Sequence, residues 1–99
     1  MEQLSKYSSD IVNLCKRYNV KTLYAFGSVL TDNFNRSSDV DLIVNFNDIP
    51  VEDYADNYFD FKFSLQDIFN RPIDLLEEQA IKNPYFRQRI DYHKQLIYG

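Results

Sequence analysis

Tyr24-Ala25-Phe26-Gly27-Ser28 and, after a polar loop, Ser38-Asp39-Val40-Asp41-Leu42 together decide how this chain is read. The first segment is an apolar run closed by a Gly-Ser turn, which predicts a strand from Val20 to Phe26. The second continues to Asn45, and Val40, Leu42, Ile43 and Val44 make it nearly continuously apolar. That composition suits a strand buried on both faces. Side chains alternate along a strand, so Asp39 and Asp41 project to the same side. Two carboxylates fixed side by side repel each other unless something positive sits between them. A hard divalent cation that also binds phosphate meets that need, since Mg²⁺ takes one or two carboxylates plus substrate oxygens.

A third carboxylate extends the pattern. Arg71-Pro72-Ile73-Asp74-Leu75-Leu76 reads as another short strand, in which Asp74 faces away from Ile73 and Leu75. Acids from neighbouring strands could hold two metal ions about 3.5–4 Å apart, the spacing that clamps both oxygens of an in-line phosphoryl displacement. Gly27 would let backbone approach a phosphate closely. Ser28 would offer its N–H at the start of a following helical turn, where anions bind readily.

The remaining residues supply the frame. Leu4, Tyr7, Ile11, Leu14 and Tyr18 recur at helical steps, predicting an amphipathic helix from Leu4 to Tyr18 that Asn19 ends. Cys15 sits beside that stripe and reads as a small buried hydrophobe rather than a reactive thiol. Asn47, Asp48 and Pro50 form a turn leading into a second helix, from about Val51 to Phe69, with Val51, Tyr54, Ala55, Tyr58, Leu65, Ile68 and Phe69 as its stripe. Phe59, Phe61 and Phe63 cannot all face one core, so some apolar surface on this helix is expected to stay exposed and to favour association. A base-stacking platform is the sharper reading of these aromatics and packing the plainer one.

The acids at Glu52, Asp53, Asp56, Asp60 and Asp67 read as a solvated face. Glu77-Glu78-Gln79 predicts a short helical turn, Asn83-Pro84 opens a last helix, and Leu96-Ile97-Tyr98 forms a last strand. Among Lys82, Arg87, Arg89 and Lys94, any one could reach a nucleotide phosphate, and sequence does not choose. His93 has no second His or nearby Cys and reads as neither ligand nor base.

Bulk properties exclude several classes. The 99 residues predict one domain, 1–99, with a limited core. A hydrophobic share of 44% rules out a disordered chain, and a net charge of −4 argues against direct grip on nucleic acid. One cysteine excludes an internal disulfide and a Cys-based zinc site. No signal peptide or membrane span is visible, so a cytoplasmic protein without a membrane partner is expected. The predicted fold is α/β, of α+β type, with a small mixed sheet and flanking helices. The first two strands suit hairpin-like pairing, and strand order is not readable.

Gly27-Ser28, Ser38-Asp39-Val40-Asp41-Leu42 and Ile73-Asp74-Leu75, with the tail from Asn83 to Tyr98, resemble the minimal nucleotidyltransferase (MNT) group of the DNA polymerase β-like superfamily. The resemblance implies that superfamily's core fold and two Mg²⁺ ions on Asp39, Asp41 and Asp74. It implies nucleotide contacts at Gly27, Ser28 and Ser38, and AMP transfer from ATP to an acceptor hydroxyl. It also implies an antitoxin role beside a helical HEPN ribonuclease toxin, whose tyrosine would accept the AMP. Members commonly carry arginines and a glycine just after the Gly-Ser pair. Here Val29-Leu30-Thr31-Asp32-Asn33-Phe34-Asn35-Arg36 follows, with an arginine only at Arg36. That departure keeps a second reading open, an antitoxin that acts by binding with little or no catalysis. A small-molecule nucleotidyltransferase is a minor alternative, since it usually needs an acceptor domain, which here a homodimer would have to supply. An Asp-x-Asp phosphatase fits less well, because a Gly-Ser element would not precede its aspartate.

Overall fold

The computed structural model describes residues 7–27 and 39–99. The predicted sites at Ser28 and Ser38, the loop carrying Arg36, and the start of the first helix lie outside the described residues.

The elements follow in the order α1 (Ser8–Arg17), β1 (Val20–Phe26), β2 (Val40–Phe46), α2 (Val51–Phe69), β3 (Ile73–Glu77), a 3₁₀ turn (Glu78–Ala80), α3 (Pro84–His93) and β4 (Gln95–Tyr98). Local chemistry sets the boundaries. Asn19 (φ 60°) and Asn70 (φ 53°) adopt the left-handed conformation that ends α1 and α2, a region asparagine tolerates better than most residues. Asn83 caps α3 by accepting from the backbone N–H groups of Tyr85 (3.0 Å) and Phe86 (3.2 Å), with Pro84 in the first turn.

The four strands form one sheet in the order β3-β2-β1-β4. β1 pairs antiparallel with β2, as the hairpin-like reading expected, and with β4. β2 and β3 run parallel. The α2 helix makes that possible, because parallel neighbours need a long crossover. The mixed sheet and flanking helices match the predicted class.

The two faces of the sheet are covered differently. Leu23, Ala25, Val40, Leu42, Val44, Ile73 and Leu75 point to one face. There they pack with Ile11 and Cys15 of α1 and with Phe61, Leu65 and Phe69 of α2. Cys15 is fully buried, and burial pushes its thiol up to about 12, as the plain hydrophobe reading requires. Phe61 is fully buried while Val51 is 90% exposed, so the α2 stripe is centred on Phe61 rather than starting at Val51 as the sequence stripe had it. Phe59 and Phe63 stack at 6.0 Å on the outer side of α2, about half exposed. Tyr58 Oη donates to the Leu75 carbonyl (2.5 Å) and Tyr54 Oη to Glu77 Oε2 (2.5 Å), tying α2 to β3. No described helix is long and apolar enough to cross a membrane.

Candidate active site

β2 builds the site by alternation. Val40, Leu42 and Val44 belong to the helix-covered core, so Asp41 projects from the opposite face. Parallel pairing sets Asp41 beside Asp74, and antiparallel pairing sets it beside Phe26. Directly paired residues share a face. Phe26, Asp41 and Asp74 therefore form a row across three strands at one end of the sheet. Asp39 has the same parity as Asp41 but lies just before β2 rather than inside it. The Val40 N–H donates to the Pro72 carbonyl (3.1 Å), pinning this end of β2 to the start of β3.

Burial differs along the row. Asp41 is half-buried, while Asp39 and Asp74 are exposed. Burial pushes the Asp41 carboxyl above its ordinary range, and the negative charges of Asp74 and then Asp39 push it further. Asp74 and Asp39 are thus near enough for Asp41 to feel their charge. Among the described residues, no three His, Cys, Asp or Glu side chains are drawn together as a preformed metal cage. The donors in the row are hard oxygens, the set that suits Mg²⁺.

Gly27 closes this end of the sheet. Its φ of +74° lies in the region that favours glycine, and a Cβ there would overlap Asp41 Oδ2. The close approach expected of this glycine is therefore made first by Asp41 itself.

A cleft of about 630 Å³ opens beside Gly27. Its walls are Phe26 and Gly27 at the end of β1, Phe86, Arg89, Ile90 and His93 on α3, and Gln95 at the start of β4. Sequence reasoning named Arg89 only as one of four cations able to reach a phosphate and assigned none of the other α3 and β4 residues to a site. The helical spacing from Phe86 to His93 was visible, but nothing local says that this side of α3 faces Gly27. The acids on α2, by contrast, are exposed as predicted.

A family profile described as Polymerase beta, Nucleotidyltransferase matches residues 9–99. A Methanocaldococcus jannaschii protein with the provisional name of a protein adenylyltransferase is 35% identical over 85 residues, covering 86% of this chain and 82% of that protein. A solved structure provisionally named a minimal nucleotidyltransferase superposes with a TM-score of 0.77 at 22% identity, covering 95% of this chain and 92% of its own. A structure of tri-AMPylated Shewanella oneidensis HEPN toxin in complex with MNT antitoxin holds a chain that superposes with a TM-score of 0.65 at 16% identity. That match covers 97% of this chain and 72% of the other.

Proposed function

The chain belongs to the polymerase β-type nucleotidyltransferase family, and from that premise we propose that it transfers AMP from ATP to a tyrosine hydroxyl of a HEPN-type toxin and thereby acts as an antitoxin. The observation that carries this reading is the row of Asp41 and Asp74 in register beside Gly27, with Asp39 on the same side. The provisional name of the Methanocaldococcus jannaschii relative supports protein as the acceptor class. The AMPylated toxin in the Shewanella oneidensis complex supports the partner and the modification.

Asp39, Asp41 and Asp74 would hold Mg²⁺. Burial first, and then the negative charges of Asp74 and Asp39, raise the Asp41 carboxyl, and a bound cation would relieve the charge part of that cost. When bound, divalent ions neutralise triphosphate charge and lower the pKa of the acceptor hydroxyl. Gly27 admits the phosphates to the end of β1. Asp74, exposed at the outer end of the row, takes the proton from the acceptor oxygen. That oxygen bonds to the α-phosphorus as the α–β bridging bond breaks and pyrophosphate leaves. Positioning and charge compensation supply most of the acceleration.

Neutralisation by binding alone is the second reading. It is favoured by the stacked, half-exposed Phe59 and Phe63, an apolar patch that a partner protein can cover. Incubation with α-³²P-labelled ATP, Mg²⁺ and the cognate toxin separates the two. Label should pass to the toxin from wild type and fall by about 10²–10³-fold or more with Asp39→Asn or Asp41→Asn. Undiminished transfer by both variants would sink the mechanism. Toxin neutralised as well by the variants as by wild type would establish the binding reading.

A further inference from the structure

We infer that Arg89 is the cation that receives the β- and γ-phosphates of ATP, with the cleft between α3 and the end of β1 as their seat. The inference rests on the nucleotidyltransferase reading and goes beyond it by assigning a cation, where the sequence after Gly27-Ser28 carries none before Arg36.

The need is electrostatic. A triphosphate approaching Gly27 meets the negative charge of Asp39, Asp41 and Asp74, on a chain of net charge −4. Mg²⁺ held by these carboxylates would offset part of that charge. The distal phosphates still favour a fixed guanidinium, whose planar fork matches phosphate oxygens.

The structure chooses among the four cations that sequence left level. Arg87 is occupied: it bridges Glu78 (2.8 Å) and Asp91 (3.3 Å) and donates to the Glu78 carbonyl (3.1 Å). Lys94 is occupied as well, at 3.1 Å from Asp91 and 4.2 Å from the centre of the Tyr24 ring. Lys82 lines a different depression, with Leu76, Glu77 and Ile81. Arg89 lines the cleft that includes Gly27, and it makes no ion pair or hydrogen bond among the described residues. Among the described residues, the ion pairs that occupy Arg87 and Lys94 leave the Arg89 guanidinium beside the cleft uncompensated.

The cleft is large enough. Its volume of about 630 Å³ falls within the roughly 300–1,000 Å³ usual for small-molecule sites. Phe26 belongs to both the cleft and the row, and Gly27 lines the cleft while packing on Asp41. A nucleotide whose α-phosphate lies at Gly27 therefore has this space within reach of its remaining phosphates.

The test measures equilibrium binding of the α,β-methylene analogue of ATP, and separately of AMP, to the full chain with Mg²⁺. Wild type is compared with Arg89→Ala, Arg89→Lys and, as a charge-matched control, Lys82→Ala. Arg89→Ala should weaken the triphosphate analogue about tenfold or more, the scale of one charge-assisted hydrogen bond. AMP should bind as it does to wild type, and Lys82→Ala should change neither ligand. Arg89→Lys should recover part of the loss. Arg89 is exposed, so an unchanged melting temperature is expected and separates binding from folding. Wild-type affinity of Arg89→Ala for the analogue overturns the assignment while leaving the nucleotidyltransferase reading intact. Equal weakening of AMP and the analogue overturns it too, by moving Arg89 away from the distal phosphates. If wild type binds neither ligand with Mg²⁺, the nucleotidyltransferase reading falls and the assignment with it.

Discussion

The two faces of this sheet are made by the same strands and do opposite things. On one, Leu23, Ala25, Val40, Leu42, Val44, Ile73 and Leu75 are sealed under α1 and α2. On the other, Phe26, Asp41 and Asp74 form a row that stays partly open to solvent, with α3 leaving a cleft beside it. The filled face gains free energy from each apolar group it takes from water. The open face bears the opposite cost, with like charges gathered around a half-buried carboxylate. Because alternate residues of β2 serve the two faces, the apolar residues that secure the strand also aim Asp41. Stability on one face is the condition for strained electrostatics on the other.

Three substitutions probe that division, from the largest expected effect on stability to the smallest. Phe61→Ala removes the largest fully buried side chain, so unfolding free energy should drop by about 3–5 kcal/mol, read from denaturant midpoints. A loss under ~1 kcal/mol would mean that α2 does not anchor the filled face. Gly27→Ala sits at the edge of the open face. Its positive φ costs an alanine about 1–3 kcal/mol, and the new Cβ forces the Asp41 carboxylate to swing aside. AMP transfer should therefore suffer more than the melting temperature does. Transfer and melting both at wild-type level would disprove the close packing of Gly27 on Asp41.

Asp41→Asn should have the smallest effect on stability, and its sign is positive. The folded-state affinity of Asp41 for its proton is raised, so the native state binds that proton more tightly than the unfolded chain. Wild type accordingly loses stability as pH rises from the ordinary carboxylate range through the raised value. The asparagine variant escapes that loss. Without Mg²⁺ it should melt above wild type at neutral pH, by under about 1 kcal/mol given solvent screening, and the gap should close toward acid. Adding Mg²⁺ should raise wild type alone. A gap that widens on acidification would contradict the sign.

Much of this was legible because it is local. The apolar runs predict β1 over Val20–Phe26, and the helical stripe predicts α2 over Val51–Phe69, both as observed. Asn19 ends α1 through its own conformational tolerance. Ile73 and Leu75 are buried and Asp74 exposed, as alternation requires. Smaller misreadings were also local in origin. Val51 fits the helical period but lies in the first turn, beyond the edge of the sheet's cover, and stays exposed. Asp39 reads as strand because it directly precedes the apolar run and shares the parity of Asp41, yet the ladder starts at Val40.

Sequence by itself determined the elements, the parity of Asp39, Asp41 and Asp74, and the family, since each rests on short-range periodicity and a motif carried in consecutive residues. Only tertiary structure decided that β2 lies between β1 and β3, so that Asp41 meets Asp74 on one side and Phe26 on the other. It alone turned Phe86, Arg89 and His93 toward Gly27 while Glu78 and Asp91 drew off Arg87 and Lys94. The physical reason is that register and helix placement are settled by burial and charge pairing between segments far apart in the chain. No single segment carries that information.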